Sequence, residues 1–314
     1  CIIKLTNKVM IHKIHKGCGI MYNSEKNILI AFLLNFFFAI FEFIGGFLTG
    51  SISIISDAFH DFLDSISIGI SFILEKISKQ KPNSDYTFGY GRYSTLGALI
   101  TTMILIIGSL LMIKNAIDRL INPVSIYYDG MLFFALIGVI VNLFATYFTR
   151  GGQSLNQKSV NLHMIEDVIG WIIVFIGAIV MKFSQIDFLD PLMSIVVSIF
   201  IMFQACSNFK KIIFLFLDKV PRHISIQHIK ENLVKLDGVE EIHHIHVWSL
   251  DGINNYATMH IVLNKNYSVN IKKLIREQLK IYGICHVTLE FETKEELCSE
   301  NDCKKEFEMF PSHH

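Results

Sequence analysis

Six stretches of about 20 mostly apolar residues constrain this chain more than any other feature: residues 27–48, 51–74, 94–115, 130–149, 160–182 and 190–215. A segment of that kind crosses hydrocarbon as a helix, because lipid offers no partner to a backbone N–H or C=O. Gly45, Gly46 and Gly50 mark a tight turn between the first two. Composition agrees, with 52% of the 314 residues hydrophobic, against an apolar share of about 45–50% in soluble domains even when glycine is counted. Lys plus Arg and Asp plus Glu both number 28, so bulk charge argues for neither a nucleic-acid nor an acidic partner.

The second stretch carries Asp57, His60, Asp61 and Asp64. On a helix these four fall within an arc of roughly 100°, one polar stripe. Three acidic side chains facing lipid would cost roughly 9 kcal/mol on insertion scales, so the stripe must face protein, water or a cation. The fifth stretch repeats the device with His163, Glu166 and Asp167. Both contain H-x-x-x-D, an i,i+4 pair on one face. Two such pairs on facing helices supply two imidazole nitrogens and two carboxylate oxygens, a tetrahedral N/O shell that suits zinc.

Placing both termini in the cytoplasm leaves only Lys114, Arg119 and Lys182 in the outer loops, with the remaining loop cations inside, the orientation the positive-inside rule favours. Past Pro221 the pattern changes. Helix (225–236), strand (239–250), strand (255–263), helix (269–282) and strand (284–291) follow, with turns at Asp237-Gly238 and Asp251-Gly252. This αββαβ order predicts a small ferredoxin-like α/β sandwich. The predicted architecture is a polytopic α-helical membrane protein of six transmembrane helices with a C-terminal cytosolic ferredoxin-like domain. It divides into an N-terminal segment (1–26), a membrane domain (27–220), the α/β domain (221–297) and a Cys/His-containing tail (298–314). The first two strands of the α/β domain carry His243, His244, His246 and His260. Such a sheet can bind metal, although strand histidines without a ligand role are common.

SDAFHDFLD (56–64), FGYGR (88–92), NLHMIED (161–167) and HIHVWSL (244–250) together resemble the cation diffusion facilitator transporters, above all their zinc-exporting bacterial branch. The likeness covers roughly residues 27–297. It implies a homodimer in a bacterial inner or plasma membrane that exchanges cytosolic divalent metal for protons. It also implies His60, Asp64, His163 and Asp167 as ligands of the transported ion. The manganese branch usually has Asp at the place of His60, which favours zinc, with cadmium, cobalt, iron or manganese as the alternative cargo and a membrane metal sensor as a further reading.

By the same resemblance a cytosolic site takes His246, His260 and Glu292, with Cys298 and Cys303 of the tail and His12, His15 and Cys18 of the N-terminal segment as further donors. Zinc is then both cargo and regulatory ion, and no organic cofactor is expected. A metalloenzyme is disfavoured, since no H-E-x-x-H occurs.

Overall fold

The computed structural model describes residues 24–49, 52–122, 128–152, 154–184, 189–264 and 267–294. Six long helices come first: α1 (Ser24–Thr49), α2 (Ile52–Ser78), α3 (Arg92–Ile121), α4 (Tyr128–Thr149), α5 (Leu155–Ser184) and α6 (Leu189–Phe216). Five contain one of the apolar stretches whole and overrun it at one or both ends, and α2 covers 52–74 of the second and runs on to Ser78. Five, all but α2, hold segments long and apolar enough to cross a membrane. At 27 residues α2 is long enough as well, but its acidic residues set it apart.

The chain divides after residue 214 into two compact units. In the first, α1 packs along α2 and α4 along α5, while α3 leans on α2 and α5. Ile28 and Ala31 of α1, Ile68 of α2, Ala145 of α4, and Val160 and Met164 of α5 form its buried core. Alanines at these contacts let the helix backbones come close, which is how membrane helices gain dispersion energy without a hydrophobic driving force. Large apolar side chains point outward instead. Phe47, Phe183 and Phe203 are 82%, 85% and 72% exposed, a surface suited to hydrocarbon rather than to water.

One end of this bundle is tied by Glu75, near the C-terminus of α2 and only 3% exposed. Its carboxylate accepts from Ser24 Oγ at 2.5 Å, Ser94 Oγ at 2.7 Å and Asn156 Nδ2 at 3.2 Å. These donors stand at the starts of α1, α3 and α5, so a single side chain joins four helix ends. Asn156 is fixed in turn, donating to the Ser71 carbonyl at 2.9 Å and accepting from the Ser71 hydroxyl. Asn208 of α6 donates to Thr102 of α3 at 3.0 Å and to Ser159 of α5 at 2.9 Å.

The second unit holds α7 (Ile226–Leu233), β1 (Val239–Ser249), β2 (Asn255–Leu263), α8 (Ile271–Ile281) and β3 (Ile284–Glu292), in the αββαβ order expected. Ser225 caps α7 by accepting from the His228 N–H. Ile271, Ile275 and Leu279, four residues apart, form the buried stripe of α8. They join Ile242, Val247, Met259 and Ile261 in one core. The sheet runs β1-β2-β3, with β1/β2 antiparallel and β2/β3 parallel. This leaves the other sheet face to the histidines.

Candidate metal centre

In the membrane-type unit, Asp64 of α2 meets His163 and Asp167 of α5. His163 Nε2 stands 3.7 Å from Asp64 Oδ2 and 4.0 Å from Asp167 Oδ2. One ligand atom from each lies within 4.8 Å of the other two. Asp64 and His163 are 6% and 2% exposed. The i,i+4 spacing puts Asp167 one helical turn beyond His163 on the same face. Glu166 approaches Nδ1 of the ring to 4.0 Å, so one imidazole is ringed by three carboxylates. Both of its nitrogens are buried and make no hydrogen bond among the described residues.

These separations are too long for direct hydrogen bonds and close to those of a shared ion. Metal–ligand distances near 2.0–2.2 Å put tetrahedral ligand atoms about 3.3 Å apart, so the two contacts of His163 would shorten by roughly 0.4 Å and 0.7 Å around one. One imidazole and two carboxylates are a donor set for zinc or a similar dication. His60 lies in α2 one turn before Asp64; its side chain is outside the described residues. Asn35 of α1 donates to the Asp61 carbonyl at 3.4 Å, a packing bond that steadies α2 beside the cluster.

The second cluster lies on the sheet and differs from the expected set. His260 Nδ1 is 2.5 Å from Glu292 Oε1, and His243 Nε2 is 3.2 Å from Glu292 Oε2. Ligand atoms of these three lie within 4.8 Å of one another. His243 therefore stands where the sequence reading puts His246, and the cause is register. His243 pairs with His260, whereas His246 pairs with Thr258, and Val262 pairs with Glu292. At about 3.3 Å per residue, Thr258 is roughly 13 Å along β2 from Val262, which places the exposed His246 beyond reach of Glu292.

Glu290, absent from the sequence reading, also faces the cluster, its Oε2 3.3 Å from His260 Nε2. Cys298, Cys303, His12, His15 and Cys18 lie outside the described residues. The one sequence signal for His243 is that it is a third histidine within the same strand, and alternation alone does not select it.

Comparison with known proteins agrees with this two-part layout. Residues 28–217 match the cation efflux transmembrane domain, and residues 221–292 match the cytoplasmic domain of cation efflux proteins. A cadmium, cobalt and zinc/H(+)-K(+) antiporter of Bacillus subtilis is 33% identical over 86% of this chain and 90% of its own length. The zinc transporter ZitB of Yersinia pestis is 29% identical, over 90% and 91% respectively. The metal cation efflux system protein CzcD of Cupriavidus metallidurans is 28% identical over 92% of both. With both domains matched in order along one chain, this protein belongs to the cation efflux family, the cation diffusion facilitators.

Proposed function

We propose that this protein exports divalent metal from the cytosol, zinc first, in exchange for protons. The observation that carries the proposal is the buried cluster of Asp64, His163 and Asp167 joining two helices of membrane length. Charged and imidazole side chains at that depth are costly unless they serve an ion or a proton. His60, one turn from Asp64, supplies the fourth ligand. Metal requires neutral imidazole and ionised carboxylate, so binding on the cytosolic side expels protons, and acidity on the far side favours release.

The protein works as a homodimer in a bacterial inner membrane, with both termini and the α/β unit in the cytosol. His243, His260 and Glu292 hold a regulatory metal in that unit. The names of the relatives include zinc in two cases, and cadmium and cobalt beside it in one, which supports zinc as cargo with those two ions as the nearest alternatives.

The test is metal flux in sealed vesicles under an imposed pH gradient, with Zn2+, Cd2+ and Co2+ supplied separately. Wild type should move zinc when the gradient is present and stop when it is collapsed, and Asp64→Ala should move none of the three. Zinc flux at the wild-type rate in Asp64→Ala would overturn the assignment.

A further inference from the structure

Successive side chains in a β-strand point to opposite faces, yet the rings of His243 and His244 both gather around His260. Their centroids lie 5.4 Å and 4.9 Å from that of His260, and 5.5 Å from each other. A β-bulge makes this possible. Between the pairs His243–His260 and His246–Thr258, residues 244 and 245 stand opposite Met259 alone.

His244 takes the left-handed backbone there, with φ of 49°, a conformation in which bulges usually place glycine. Glycine would hold this turn without strain, so the presence of an imidazole calls for another reason. Strained backbone of this kind gathers at functional sites, and bulges beside such sites re-aim side chains. A second observation points to a ligand: Nε2 of His244 is buried and makes no hydrogen bond among the described residues.

His243, His260 and Glu292 supply three donors, and a closed zinc site has four. We propose that His244 is the fourth, giving a three-imidazole, one-carboxylate set built wholly within the sheet. The inference rests on the reading that the other three hold a metal. The His244 ring lies 4.9 Å, centroid to centroid, from that of His260, and rotation of that ring is the movement that would bring its nitrogen to an ion held by the other three. Donors from Cys298 and Cys303 are then not required.

The test uses the full chain in detergent with Asp64→Ala and Asp167→Ala, which silence the membrane cluster, and Co2+ alone as the probe. Four-coordinate Co2+ absorbs visible light far more strongly than the five- or six-coordinate ion, so the spectrum reports ligand number. His243→Ala tests the underlying site and should abolish the band. His244→Gly tests the inference. It removes the ring while relieving the backbone strain, so the metal-free protein should be no less stable. Loss of a ligand should weaken Co2+ binding by at least about tenfold, since even outer-shell partners are worth 10–100-fold, and should replace the strong band with a weak one. Cys298→Ser with Cys303→Ser should leave the band unchanged.

If His243→Ala loses the band while His244→Gly keeps both band and affinity, the site stands and His244 is not its ligand. A band that falls with the two cysteines and not with His244 overturns the inference in favour of the tail. If neither histidine matters, the underlying site is refuted and the inference with it.

Discussion

Replacing Glu75 by leucine should loosen one end of the bundle, because its carboxylate bonds to three other helices there. Leucine is one heavy atom smaller and branches one carbon earlier, so the change removes the acceptor and a little packing with it. It orphans the hydroxyls of Ser24 and Ser94 and one N–H of Asn156, all on residues no more than 7% exposed. Each stranded donor costs about 1–3 kcal/mol. The two hydroxyls can turn toward carbonyls of their own helices and so fall near 1 kcal/mol each. The amide of Asn156 is pinned by Ser71 and falls near 2 kcal/mol.

The sum is about 4 kcal/mol. For a unit of this size that corresponds to a fall on the order of 10 °C in unfolding temperature. Glu75→Gln keeps one acceptor oxygen and the shape, and should lose less than half as much. The measurement is the fraction of detergent-purified protein remaining monodisperse after graded heating. If Glu75→Leu and wild type lose the monodisperse form at the same temperature, the carboxylate does not tie the four helix ends.

Three further outcomes follow from the packing. Gly97→Ala would place its new methyl 2.8–2.9 Å from the side chain of Asn156, which is held by Ser71 and Glu75 and cannot move aside; a loss of about 1–3 kcal/mol is expected in the same heating assay. Ile275→Ala, at a fully buried position of the α/β core, should cost about 2–5 kcal/mol, read as an earlier loss of amide-exchange protection in β1 to β3. Lys182→Met removes a 2.6 Å ion pair with Asp129, but the two side chains are 48% and 67% exposed, so stability should change by less than about 1 kcal/mol.

Glu75 also shows where a linear reading runs out. The six spans are legible because hydrocarbon length and apolar run length are the same quantity. The α/β order is legible because Gly turns separate segments of period two and period 3.6. Nothing local distinguishes Glu75, followed by Lys76 at the end of an apolar helix, from a solvated charge. Its partners are 51, 19 and 81 residues away, and only the assembled bundle makes it a buried acceptor. Asn35 is more legible, because a lone amide on an apolar helix has few uses besides binding a neighbouring helix, and it does bind the backbone of α2.

The two clusters differ in legibility for a physical reason. An α-helix holds its period whatever side chains it carries, so H-x-x-x-D fixes a shared face from the sequence alone, and Asp64, His163 and Asp167 converge as that period requires. A strand keeps its parity only while its ladder is unbroken. One extra residue between His243 and His246 shifts everything on one side of it relative to the partner strand, and here that shift decides which histidine faces His260. Bulges that depend on glycine announce themselves in sequence; this one places His244 in the left-handed conformation and leaves no such mark. The residue that hides the register from a linear reading is thus the same one whose ring the bulge turns toward His260. Strain and concealment share one origin, the departure of the local sequence from what its backbone alone would choose.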